Sequence, residues 1–121
     1  MIIDDDLYRE RAKDLEGMSI GALWGVSCPN EEIWNDSFPF EEKKKYFFAI
    51  LQRLMEEGKA KLADHGKFLE GSVDEQIARY RAAFPKTKEE WKAKNEEIWF
   101  YDDDCPGGIV WIHENGYLDW T

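Results

Sequence analysis

Apolar positions recur at helical spacing in several parts of the chain and give way to strand-like patterning near its end. Phe47, Ile50, Leu51 and Leu54 form a core-facing stripe that predicts a helix from Phe40 to Glu57, with Gly58 as its stop. Leu7, Tyr8, Arg11 and Leu15 place another over Asp4 to Leu15, its acids favourably at the N-terminal end and Gly17 closing it. A short helix is expected from Ser19 to Trp24, ended by the Gly25, Cys28, Pro29, Asn30 breakers. Residues 30 to 39 read as a connecting loop anchored by Ile33, Trp34 and Phe38.

After Gly58, Ala60 to Ala63 and Lys67 to Leu69 flank an Asp-His-Gly turn and predict a β-hairpin. Ser72 to Glu75 is a capping box. There the hydroxyl of Ser72 accepts an exposed backbone N–H while the carboxylate of Glu75 reaches back, and Val73, Ile77, Tyr80 and Phe84 mark the buried face before Pro85. Thr87 to Glu90 repeats the pattern ahead of Trp91, so another short helix should run to about Asn95. Ile98 to Tyr101 and Gly108 to His113 are rich in β-branched and aromatic residues and read as an antiparallel pair across the Asp102 to Gly107 turn. Asn115-Gly116 should return a last strand, Tyr117 to Trp120. The expected fold class is α+β: one domain over residues 1 to 121, with N-terminal and central helices packed on a small antiparallel sheet formed by a short hairpin and a C-terminal β-meander.

Composition supports a packed core, since 43% of residues are hydrophobic and 15% aromatic. No apolar run approaches the roughly 20 residues that span a bilayer, and acids stand near the N-terminus where a secretory signal would carry bases. A cytoplasmic protein is expected, with Cys28 and Cys105 as reduced thiols. The formal charge of -10 argues against nucleic acid and anionic membrane as partners and favours a basic protein.

The charge is unevenly laid out. Residues 59 to 95 carry 6 acids and 9 bases, whereas residues 96 to 121 carry 7 acids and no Lys or Arg. The last tract interleaves carboxylates with large rings, which are interface features. Asp102, Asp103, Asp104, Glu114, Tyr117, Asp119 and Trp120 are therefore the candidate partner-binding residues, read as one acidic, ring-studded surface.

Catalytic chemistry finds little footing. A Cys105–His113 nucleophile pair is conceivable if the flanking strands pair, but no family signature surrounds it. A metal site from Asp102, Asp103, Asp104 and His113 is opposed by strand geometry, because consecutive side chains alternate in direction. His65 reads as an exposed turn residue. No nucleotide or hydrolase motif occurs, so neither an enzyme nor a cofactor is expected.

Three stretches, SIGALW at Ser19 to Trp24, GKAKLADHGKFLEGSVDEQ at Gly58 to Gln76 and IWFYDDDCPGGIVWIHENGYLDWT at Ile98 to Thr121, together resemble a small bacterial family known as domain of unknown function 596. The C-terminal DDDCPGGIVWIH tract is the most specific part, and residues 30 to 39 carry none of the likeness. The resemblance implies a bacterial cytoplasmic protein of mixed fold and supplies no catalytic residues. In type, small acidic bacterial proteins of this kind also resemble immunity proteins of contact-dependent inhibition systems, which neutralise a basic, nuclease-type toxin domain. The alternative is a self-associating accessory protein, a homodimer joined through its C-terminal strands.

Overall fold

The structure is a computed structural model describing residues 1–121. Five helices and four strands follow in the order α1 (Asp5–Leu15), α2 (Ile20–Gly25), α3 (Phe40–Glu56), β1 (Ala60–Asp64), β2 (Lys67–Phe68), α4 (Val73–Ala83), α5 (Lys88–Ala93), β3 (Gly108–Ile112) and β4 (Leu118–Trp120). The architecture is the α+β arrangement expected. Helix starts are fixed locally: the carboxylate of Asp4 accepts from the N–H of Leu7, Ser19 caps α2, and Ser72 with Glu75 forms the reciprocal box of α4. At α5 only half of the second box forms. Thr87 accepts from the N–H of Glu90, but the Glu90 carboxylate accepts from the N–H of Lys86, one residue earlier.

The sheet is antiparallel, in the order β2-β1-β3-β4. His65 and Gly66 both adopt positive φ, at 49° and 78°, the conformation a two-residue hairpin turn requires. Strand β3 then returns beside β1 with Ala60 opposite Trp111, Leu62 opposite Ile109 and Ala63 opposite Gly108. Strand β4 pairs on its far side, Val110 opposite Trp120 and Ile112 opposite Leu118. One sheet face, carrying Ala60, Leu62, Ile109 and Trp111, is buried against the helices. Between sheet and helices lies an aromatic core in which Phe84 stacks on Trp91 at 5.5 Å and Trp24 packs 4.8 Å from Trp91.

Two expectations require correction. Ile98 to Tyr101 is not a strand and does not pair with β3; it belongs to a 3-10 turn, Glu96–Tyr101. The consecutive rings of Trp99 and Phe100 are both buried, whereas a strand would send them to opposite faces. Asn95 and Glu96, at φ 67° and 54°, turn the chain out of α5 so that both rings reach the core. The second correction concerns residues 30 to 39: Ile33 and Phe38 are half-buried, but Trp34 anchors nothing and is 93% exposed.

Candidate functional site

Strand β3 separates the acids that lie close together in sequence. Asp102, Asp103 and Asp104 occupy the turn before its Gly108 end, whereas Glu114, Tyr117 and Asp119 cluster about its His113 end. Five extended residues place these groups about 17 Å apart. They therefore do not form the one continuous surface expected from the sequence. Within the turn, the Asp102 carboxylate accepts from the N–H of Asp103, and Asp104 accepts from Lys94 at 3.0 Å. That bond raises the Lys94 pKa, and it neutralises Asp104 with a base from the central third of the chain.

At the other end, His113 is held between two carboxylates. Its Nδ1 lies 2.7 Å from Glu16, just past α1, and its Nε2 lies 3.1 Å from Asp119 on β4. Gly17 leaves room for this contact, since a Cβ there would stand 3.2 Å from the Asp119 carboxylate. The hydrogen bond to Asp119, then the charge of Glu16, holds the imidazole pKa above its ordinary 6.5. A raised folded-state pKa means that the folded chain binds the extra proton more tightly. The stabilisation is complete below about pH 6.5 and is lost as pH rises through the folded-state value. Urea midpoints should thus fall on going from pH 6 to pH 9, and His113→Gln should flatten that slope.

Cys105 and His113 do not meet. The thiol is buried, sits 3.0 Å from the Tyr80 hydroxyl, and is pushed up in pKa by burial, which suits a structural cysteine. His113 is at the opposite end of β3 with both ring nitrogens engaged. The same separation keeps Asp102 to Asp104 from converging with His113 on one ion. His65 stands exposed in its turn, 2.9 Å from Asp64.

Trp120 leads to a surface that charge counting along the chain does not reveal. Side chains alternate along strands, so the residues opposite the buried set (Lys61, Phe68, Val110, Ile112, Leu118 and Trp120) share the outer face of the sheet. No helix covers this face. Trp120 and Phe68 stack across it at 5.1 Å, and Lys61, the face's one charge, extends its ammonium to 4.8 Å from the Phe68 ring. Beneath them Val110 is 2% exposed, while Leu118, Phe68 and Trp120 are 37%, 38% and 49% exposed. Carboxylates stand beyond both ends of β3: Asp102 precedes it and Glu114 follows it, while Asp64, next after Leu62 in the alternation and paired with Lys67, falls on the buried side. By the same alternation, Asp119 and Tyr117 lie on the His113 side of the hairpin, away from the outer face. The available signal was the apolar-acid-apolar pattern of Leu118, Asp119 and Trp120, legible only once β4 is known to be an edge strand.

A family model described as protein of unknown function, DUF596, matches residues 55–121, a span that includes the hairpin, α4, α5 and both C-terminal strands. Among solved structures, an uncharacterised protein conserved in bacteria, from Neisseria meningitidis, has the same fold. It matches with a TM-score of 0.74 and 24% identity over 95% of this chain and 87% of that chain. No curated protein matches.

Proposed function

The chain belongs to the DUF596 family, and on that premise we propose that it is a protein-binding module, not an enzyme, whose partner is a basic protein domain. The observation that carries this reading is the uncovered sheet face: an apolar strip built on stacked Trp120 and Phe68, on a strand preceded by Asp102 and followed by Glu114. An indole at the centre with charges at the rim is the distribution of an interface whose rings supply affinity and whose acids supply steering. A net charge of -10 strengthens the steering. An immunity protein that neutralises a nuclease-type toxin domain meets this description, because such a domain presents a cationic surface.

The test is association with a basic, nuclease-type toxin domain, followed by stopped-flow and titration. Trp120→Ala should weaken binding about 30-fold, mainly through faster dissociation. Reversing Asp102 and Glu114 to Lys should slow association, and the slowing should shrink at high salt. Unchanged rates in both variants would refute the reading. Self-association through the C-terminal strands has weaker support, since β4 offers only three residues to a second copy.

A further inference from the structure

Far from the sheet face, the loop before α3 carries an indole that the fold leaves in water. Trp34 is 93% exposed, although Trp is among the most deeply buried residues on average. The loop that presents it is tightly braced. Glu32 accepts from the side-chain amide of Asn35 at 2.7 Å, Asn35 caps the N–H of Ser37 at 2.9 Å, and Asn30 reaches Glu10 on α1 at 3.1 Å. Phe38 packs on Tyr46, 6.1 Å between ring centres. The indole is thus displayed on a preorganised knob, which reduces the ordering cost of docking it.

Beside the knob lies a cleft of about 370 Å³ whose floor is formed by Trp24 and Trp91. The loop forms one lip, through Glu32 and Asp36; Lys88 and Lys92 of α5 stand on the other, with Lys43 over the Trp24 ring at 5.1 Å. Glu96 and Glu97 also line the cleft. None of these three lysines, nor Glu31, Glu32 or Asp36 on the knob, is in an ion pair. An acidic knob with an exposed indole and an aromatic socket with cations on its far lip therefore occupy one surface of the same molecule.

We infer that this surface is self-complementary and docks a second copy of the chain across a two-fold axis, Trp34 of each copy entering the Trp24–Trp91 cleft of the other. Two-fold contacts require one patch that supplies both halves of the interaction, and this surface does. The knob carboxylates then meet Lys88 and Lys92 of the facing copy, so local charge favours the contact although each chain is acidic overall; beyond about 8 Å physiological salt screens the remainder. An indole buries about 150–250 Å². Two of them with their cleft walls reach only the lower range of stable interfaces, so the dimer is weak and reversible, with a Kd on the order of tens of micromolar.

Sedimentation velocity from about 5 to 500 µM tests this. The parent chain should shift from monomer to dimer across that range, and Trp34→Ala, a change at a solvent-exposed site, should weaken association by about 30-fold. Reversing Lys88 and Lys92 to Glu should also disperse the dimer, and adding Glu31→Lys and Asp36→Lys in the same chain should restore it. A chain that stays monomeric throughout, or a Trp34→Ala variant that associates as tightly as the parent, overturns the inference. Neither result touches the sheet face: Trp34→Ala should bind the basic toxin domain as the parent does, whereas Trp120→Ala should still dimerise.

Discussion

Phe84→Ala is expected to cost about 3–5 kcal/mol of folding stability. Phe84 follows the last turn of α4, where its extended backbone ahead of Pro85 turns the ring inward. The ring is 1% exposed and stands where rings from four other elements meet. It stacks on Trp91 of α5 at 5.5 Å, meets Trp99 of the 3-10 turn at 4.9 Å, Trp24 of α2 at 5.2 Å, and Phe47 and Phe48 of α3 at 5.6 Å each. Removing it opens a cavity walled by rigid rings on four elements, which cannot collapse to fill the space. Small domains have only about 5–15 kcal/mol of total stability, so the variant should melt some 10–20 °C lower. Phe84→Leu, which refills most of the volume, should lose less than half as much. Urea denaturation followed by tryptophan fluorescence measures both, and equal losses would show that shape at this junction matters as much as volume.

The same junction marks how far the sequence could be read. Features set by near neighbours were legible: the Phe47 to Leu54 stripe, the Ser72–Glu75 box, and the His65-Gly66 turn all appear where local chemistry puts them. What depended on distant contacts was not. Ile98 to Tyr101 has strand-like composition, but the aromatic core draws Trp99 and Phe100 inward together, and burial overrides propensity. The acidic tract looks continuous on paper because counting charge along a chain ignores the length of β3 between its two halves. Trp34 looks like an anchor by residue type, yet nothing local shows that of the three apolar residues only Ile33 and Phe38 pack inward. Arg11 fits a helical stripe; that its buried guanidinium donates to the carbonyls of Val26 and Cys28 depends on how the chain returns after α2. Of the seven candidate binding residues, Trp120 alone lies on the uncovered sheet face. Its companion Phe68 is supplied by the hairpin, and only the β1–β3 and β3–β4 pairings bring the two together.

Adding one methyl group at Gly107 should cost about 3 kcal/mol, whereas the same change at Gly108 should cost almost nothing. Gly107 does not use the left-handed conformation; its reason for being glycine is a close approach. A Cβ there would stand 2.4 Å from the carbonyl oxygen of Ala63 and 2.9 Å from its carbon, both backbone atoms of β1 that no rotamer change can move. Ala63 also pairs with Gly108 as the first rung between β1 and β3, so relieving the clash must pull those strands apart at that end. The same movement would disturb the Gly107 carbonyl that accepts from the buried Tyr80 hydroxyl at 2.9 Å, leaving a polar group in the core without its partner. Gly108 has nothing within 4 Å of its Cβ position. It is therefore a stringent control, one residue away at the first position of β3. Gly107→Ala should lower the urea midpoint and release amide protons of β1 and β3 to exchange, while Gly108→Ala should match the parent in both measurements. If both variants are as stable as the parent, β1 and the Cys105 turn are not in the tight contact described, and the Asp102 end of the sheet is more loosely held than docking on its outer face requires.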